Sequence, residues 1–115
     1  MHELSLAAEV LRLVQEAAVR ERFQRVALLR LEAGALAGVE VAALRFALDA
    51  VAPGTCLEGA GIDIEQPAGR AWCDGCATEV AIDSRADPCP ACGSVALRPT
   101  GGDTLRVLDL LVQPD

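Results

Sequence analysis

The chain has 115 residues, is 52% hydrophobic but only 3% aromatic, and carries a formal net charge of −7 at pH 7. This length suits one compact domain or a small domain with a satellite module, and the acidic charge disfavours nucleic acid and anionic membranes as partners. There is no Lys and a single His, which excludes a Walker-type P-loop and Schiff-base chemistry and leaves a Ser–His–Asp triad dependent on His2.

The first predicted element is an amphipathic helix over residues 4–22, in which Leu11 and Val14 belong to an apolar stripe with helical spacing. The same stretch carries Glu9 and Arg12 and has no basic segment before it, so it is not typical of a signal peptide. No apolar run approaches the roughly 18 residues of a membrane span. We therefore expect a cytoplasmic protein, in which cysteines stay reduced and available to a metal.

Three further elements and a last strand follow along the chain. Alternating apolar side chains around Leu29 predict a strand over residues 23–33, and helical spacing predicts a second helix over residues 40–50. Alternation returns over residues 60–66. We interpret Leu105–Val112 as a last strand whose apolar parity slips near Leu108 and Asp109, which predicts a β-bulge or burial on both faces. The last strand is too short to stand alone, so we expect it to return to the sheet of the first two.

This order predicts an α+β fold with two helices on a small three-stranded sheet and an inserted cysteine-rich module. We expect residues 1–68 and 101–115 to form one domain and residues 69–100 to form the inserted module. The inserted segment has few large aliphatic side chains, so something other than an apolar core must hold it together.

Four of the five cysteines lie in this segment, as two Cys-x-x-Cys pairs separated by twelve residues: Cys73 and Cys76, then Cys89 and Cys92. Such pairs are typical of a zinc ribbon, because Zn²⁺ takes four soft ligands at tetrahedral corners about 2.3 Å away. We expect Gly75 and Gly93 to supply the backbone freedom that the turns need. A four-thiolate site is closed and therefore structural, and it brings the net charge to about −9.

Other interpretations of the cysteines are weaker. Four free thiols would not fold so polar a segment, and a redox Cys-x-x-Cys normally begins a helix in a thioredoxin-like context, whereas Pro and Gly surround both pairs here. The fifth cysteine, Cys56, belongs to neither pair. We interpret it as a small buried hydrophobic residue and assign it no functional role.

The sequence begins Met1-His2-Glu3. An α-amino group, the following amide nitrogen and the His2 imidazole can close chelate rings around one metal, and a plane of nitrogen ligands suits Ni(II) or Cu(II) rather than Zn²⁺. Protons compete for the amine and the imidazole, so binding should weaken at low pH. By itself the motif leaves open that His2 is an ordinary surface residue.

When these motifs are considered together, the chain resembles the HypA/HybF nickel-insertion accessory proteins of [NiFe]-hydrogenase maturation. The resemblance rests on the start motif, the cysteine quartet and the segments at residues 34–40, 44–48, 54–55 and 62–65. It implies an α/β nickel-binding domain with an inserted zinc-ribbon domain, with nickel held by His2 and by backbone nitrogens of Met1 and Glu3. It also implies zinc at Cys73, Cys76, Cys89 and Cys92.

The resemblance further implies a metallochaperone, not an enzyme, that works with a GTPase partner and hands transient nickel to the hydrogenase large subunit, in some organisms also serving urease. Some members add a further His from the zinc module to the nickel plane. Here His2 is the only histidine, so the remaining ligands must be backbone nitrogens, water, a carboxylate or a partner protein. We expect a monomer or homodimer.

Two alternatives remain at this stage. The protein could be a zinc-stabilised interaction scaffold without metal transfer, in which case the amino terminus is an ordinary helix start. It could instead be a dithiol redox enzyme that uses the two cysteine pairs, and tight zinc retention under mild oxidation would remove that alternative.

Overall fold

A computed structural model describes residues 2–114. Within them the chain forms two helices and six strands, in the order α1 (His2–Glu21), β1 (Val26–Ala33), α2 (Val41–Val51), β2 (Gly61–Glu65), β3 (Gly69–Cys73), β4 (Thr78–Ile82), β5 (Leu97–Gly101) and β6 (Leu105–Val112). The predicted α+β class is confirmed. Among the described residues no helix combines the length and the hydrophobicity that crossing a bilayer requires.

The first sheet has the strand order β2-β1-β6. The last strand therefore returns to the sheet of the first two, as its short length led us to expect. On β1 the side chains of Leu29, Leu31 and Ala33 are buried while their neighbours are less so, which matches the predicted apolar face.

Both helices bury one face. The buried residues of α1 are Ala7, Val10 and Val14, and those of α2 are Leu44, Ala47 and Leu48. They recur at spacings of three and four, so each helix turns a single apolar stripe inward. The two helices contact one another, and together with the buried face of β1 they supply the larger apolar core of the protein.

The four paired cysteines lie in a compact unit that comprises Glu32–Gly38 and Glu65–Arg106; the rest of the described chain, with Cys56, forms the other unit. The sheet of this second unit has the order β4-β3-β5, with both neighbours antiparallel to β3. Its core is small and consists of Leu36, Ala71, Cys73, Val80, Ile82 and Cys89.

The segment that carries Leu36 is tied into this unit by backbone hydrogen bonds. The Gly34 N–H donates to the Thr104 carbonyl at 3.0 Å, and the Leu36 N–H donates to the Gly102 carbonyl at 2.8 Å. A β-carbon at Gly34 would lie 2.1 Å from the Gly102 oxygen, so only glycine permits this close approach.

Candidate metal centres

The structure brings the four paired cysteines together at one point. Cys73 ends β3, Cys76 lies in the turn to β4, and Cys89 and Cys92 lie in the loop between β4 and β5. All four sulfur atoms are within 4.8 Å of one another. The pairing of β3 with β4, from Gly69 opposite Ile82 to Cys73 opposite Thr78, sets where the first pair is held.

The sulfur spacings suit a tetrahedral metal. Cys73 Sγ lies 3.6 Å from Cys92 Sγ, and Cys76 Sγ lies 3.8 Å from Cys89 Sγ. Ligands 2.3 Å from a central Zn²⁺ at tetrahedral corners are about 3.8 Å apart. The four thiols could therefore hold a metal ion, and the all-sulfur donor set is that of a structural zinc site.

The two cysteine pairs share one backbone feature. The residue after each pair has a positive φ, 52° at Ala77 and 78° at Gly93. Glycine adopts this region freely, whereas alanine is strained there. Our expectation that Gly75 supplies conformational freedom was wrong, because Gly75 is not among the positive-φ residues. A β-carbon at Gly75 would lie 3.5 Å from Cys92 Sγ, which is an ordinary van der Waals distance.

The protonation of the metal-free thiols follows from their crowding. Backbone N–H groups of Cys92 and Ala91 lower the pKa of Cys89 to about 6; the Ala91 nitrogen lies 3.4 Å from Cys89 Sγ. The neighbouring thiols of Cys92 and Cys89, together with burial, raise the pKa of Cys76 to about 12. Ionisation of one thiol thus disfavours ionisation of its neighbour, and a bound cation would offset the repulsion among four thiolates.

The single Trp of the chain stands beside the first cysteine pair. Trp72 Nε1 donates to Asp74 Oδ1 at 2.9 Å, and Arg98 Nη2 donates to the same oxygen at 3.1 Å. Trp72 and Arg98 are also opposite one another in the β3–β5 ladder. The exposed Asp74–Arg98 pair adds little stability, but these contacts make the indole a local optical reporter of the cysteine turn.

At the amino terminus, Met1 lies outside the described residues, and His2 begins α1. His2 Nδ1 is 3.2 Å from Glu3 Oε2, and the side chains of His2 and Glu3 are 59% and 20% exposed. The same Glu3 oxygen accepts a hydrogen bond from the Glu40 N–H at 3.3 Å. The Glu40 N–H and then the His2 ring lower the pKa of Glu3, so its carboxylate stays ionised into the acid range.

The sequence placed Glu40 at the start of the second helix but did not indicate its role as a cap or its contact with Glu3. Its carboxylate caps α2 by accepting hydrogen bonds from the Ala42 and Ala43 N–H groups at 3.3 and 2.7 Å, and its own N–H binds Glu3. Glutamate is not among the preferred N-cap residues, so the cap gave no signal in the sequence. Next to this contact lies an apolar groove of about 520 Å³ lined by His2, Leu4 and Phe46 among others.

Comparison with known proteins places these observations in context. The family model described as "Hydrogenase/urease nickel incorporation, metallochaperone, hypA" matches residues 1–112. Hydrogenase maturation factor HypA of Cupriavidus necator is 62% identical over 113 residues, which are 98% of this chain and 95% of that protein. The HypA of Polaromonas naphthalenivorans is 58% identical over 112 residues, covering 97% of both chains.

Two solved structures are also similar. The solution structure of the Ni metallochaperone HypA from Helicobacter pylori has a TM-score of 0.69 at 17% identity and covers 98% of both chains. A structure described as the solution structure of HypA protein has a TM-score of 0.69 at 20% identity and covers 98% of this chain and 97% of that one. At these identities the likeness concerns the fold.

Proposed function

Because the chain belongs to the HypA family of metallochaperones for nickel incorporation into hydrogenase and urease, we propose that it carries Ni(II) at its amino terminus and releases it to a nickel enzyme under assembly. The ligands in this proposal are the His2 imidazole and backbone nitrogens of Met1, His2 and Glu3. The observation that carries the proposal is the Glu3 carboxylate, which is anchored by the Glu40 N–H beside the His2 ring.

The start of α1 favours such a site in one respect. The first four N–H groups of an α-helix have no acceptor within the helix, and α1 begins at His2. Deprotonating the His2 and Glu3 amides to bind a metal therefore breaks no hydrogen bond inside the helix. Metal binding at these two nitrogens therefore does not require the first turn of α1 to unfold.

The helix dipole opposes a cation at this end, and the Glu3 carboxylate offsets it. A helix N-terminus carries a partial positive charge, which disfavours Ni²⁺. The ionised Glu3 side chain lies within 3.2 Å of His2 Nδ1 and supplies the opposite charge. This carboxylate is ionised near neutral pH, and its lowered pKa extends the charge further into the acid range.

Nickel binding would replace the contact between His2 Nδ1 and Glu3. A chelate ring that joins the His2 amide nitrogen to its own imidazole uses Nδ1, because that ring has six members. In the structure Nδ1 faces Glu3, so nickel replaces this contact while Glu3 keeps its hydrogen bond from Glu40. A site with one imidazole and exchangeable contacts suits transient carriage better than permanent retention.

The zinc-type centre has a different role in this proposal. Cys73, Cys76, Cys89 and Cys92 would hold a structural Zn²⁺ that stabilises their unit, and a four-thiolate site leaves no open position for catalysis. We therefore infer that the protein transfers metal and catalyses no reaction. The partners in this scheme are a GTPase and the hydrogenase large subunit.

The test uses the protein without a tag and with its own Met1. Equilibrium dialysis against Ni²⁺ should give one bound nickel per chain for the wild type and none for His2→Ala, while zinc content and helical circular dichroism stay unchanged. The matched control is Glu9→Gln, which removes an exposed carboxylate from the same helix and should bind nickel as the wild type does.

Two results would contradict the proposal. Wild-type nickel stoichiometry in His2→Ala would exclude His2 as a ligand. Normal hydrogenase and urease activity in cells whose only copy is His2→Ala would favour the scaffold without metal transfer.

A further inference from the structure

The four thiols of the cysteine cluster are not equivalent in their exposure. Cys73 and Cys89 are 0% and 2% exposed and belong to the small core of their unit. Cys76 is half-buried and packs against that core, whereas Cys92 is exposed. The residues that flank Cys92, Ala91 and Gly93, are exposed as well, so this corner of the cluster faces solvent.

The absence of a side chain at Gly75 keeps the Cys92 corner open. A β-carbon at Gly75 would lie 3.5 Å from Cys92 Sγ and 3.8 Å from Cys73 Sγ. These are ordinary van der Waals distances, so a methyl group would fit there, in contact with the Cys92 sulfur. Glycine at this position therefore leaves a space beside Cys92 Sγ that an alanine methyl group would fill.

We propose that Cys92 is the reactive corner of the zinc-loaded cluster, where soft electrophiles attack first and from which the metal is lost. The inference rests on zinc occupancy and does not depend on nickel carriage. A metal-bound thiolate remains a nucleophile, and access decides which of several equivalent thiolates reacts. Burial protects Cys73 and Cys89, and partial burial protects Cys76.

The step can be written for iodoacetamide. The Cys92 thiolate attacks the methylene carbon, an S–C bond forms, and the C–I bond breaks with the electron pair leaving on iodide. The product is a neutral thioether, a far weaker ligand than a thiolate. With Zn²⁺ held by the cluster, its charge would change from −2 to −1, and Cys73, Cys76 and Cys89 would remain as thiolate ligands. Three thiolates would hold the metal less tightly than four.

The first experiment maps the initial adduct in full-length, zinc-loaded Cys56→Ser protein, which removes the free thiol outside the cluster. Iodoacetamide is added at less than one equivalent, and the singly modified protein is digested and analysed by mass spectrometry. We expect Cys92 to carry the adduct about five times as often as any other cysteine. Equal distribution, or prior reaction of Cys76, would overturn the proposal.

The second experiment keeps all four ligands and changes only access. In the same background, Gly75→Ala should slow alkylation and zinc release, followed with a colorimetric zinc indicator, about threefold or more. The control is Gly101→Ala, whose added β-carbon meets only the Arg70 side chain, at 3.7 Å, and should leave both rates unchanged. Equal slowing in the two variants, or no slowing in Gly75→Ala, would show that exposure of Cys92 does not control the reaction.

Discussion

The residue that follows each cysteine pair has a left-handed backbone conformation, but one of the two residues is alanine and the other is glycine. Ala77 has φ 52° and Gly93 has φ 78°, and this left-handed region suits glycine and strains alanine. The reciprocal substitutions Ala77→Gly and Gly93→Ala should therefore shift the stability of the cysteine unit in opposite directions. Nothing lies within 4 Å of a β-carbon built at Gly93, so that substitution tests backbone strain without a steric clash.

Two opposing terms set the magnitude. Placing an L-residue in the left-handed region costs about 1–2 kcal/mol. Glycine, in turn, loses about 0.4–1 kcal/mol more conformational free energy on folding than alanine. The net effect is about 0.5–1 kcal/mol, stabilising for Ala77→Gly and destabilising for Gly93→Ala.

Zinc affinity reports this difference because the metal binds the folded site. A change of 0.5–1 kcal/mol corresponds to about a two- to fivefold change in affinity. Competition against a chelator of known affinity, at fixed pH and followed through Trp72 fluorescence, should show tighter zinc binding by Ala77→Gly and weaker binding by Gly93→Ala.

The outcome separates backbone strain from side-chain contacts. Weaker binding by Ala77→Gly would mean that the Ala77 methyl group contributes more than its backbone strain costs. Unchanged affinity in Gly93→Ala would mean that the turn after Cys92 relaxes to another conformation at no cost. Either result would refute the argument from the two positive φ values.

Three further predictions concern the two compact units. Removal of zinc with a chelator at neutral pH should abolish the near-ultraviolet circular dichroism of Trp72 but keep the far-ultraviolet helical signal, because both helices lie outside the cysteine unit. Parallel loss of both signals would contradict this prediction. Leu48→Ala should lower the free energy of unfolding in urea by about 2–5 kcal/mol because Leu48 is fully buried, whereas Phe46→Ala, at a side chain 77% exposed, should change it by less than about 0.5 kcal/mol. Arg25 lowers the pKa of Glu58 below its ordinary value of 4.5, so the stability that this ion pair contributes is complete above about pH 4.5 and is lost as the pH falls through the lowered pKa. Urea titrations from pH 7 to pH 3 should therefore show that the free energy of unfolding of Glu58→Gln falls less steeply with acid than that of the wild type. An identical pH profile would argue against the contact.

Periodicity predicted both helices and β1 because each of these elements has one buried face. The buried set on β1, including Leu29 and Leu31, and the stripe on α2, including Leu44 and Leu48, repeat at the period of their own secondary structure. Such a pattern is local, so it can be recognised before the partner surface is known. Glu40 also lies directly before α2, at the predicted start of that helix.

The strands β3 and β5 could not be predicted in the same way. Each has five residues, and β5 contains Pro99 and mostly exposed side chains, so no alternation marks it. The strand β3 alternates in burial, but its buried residues Gly69, Ala71 and Cys73 are small and give no strong hydrophobic pattern. Both strands form because β3 pairs with β4 and β5 on either side. That pairing joins residues up to about thirty positions apart, and no local pattern encodes it.

By itself, the sequence determined the chemistry of the cysteine cluster, because ligand type and the Cys-x-x-Cys spacing are properties of a few neighbouring residues. Only the tertiary structure decided how unequal the ligands are, since the exposure of Cys92 and the burial of Cys73 depend on packing by distant strands and by Leu36. The contact of Glu3 with Glu40 was likewise invisible in the sequence, because it joins the starts of two helices 37 residues apart.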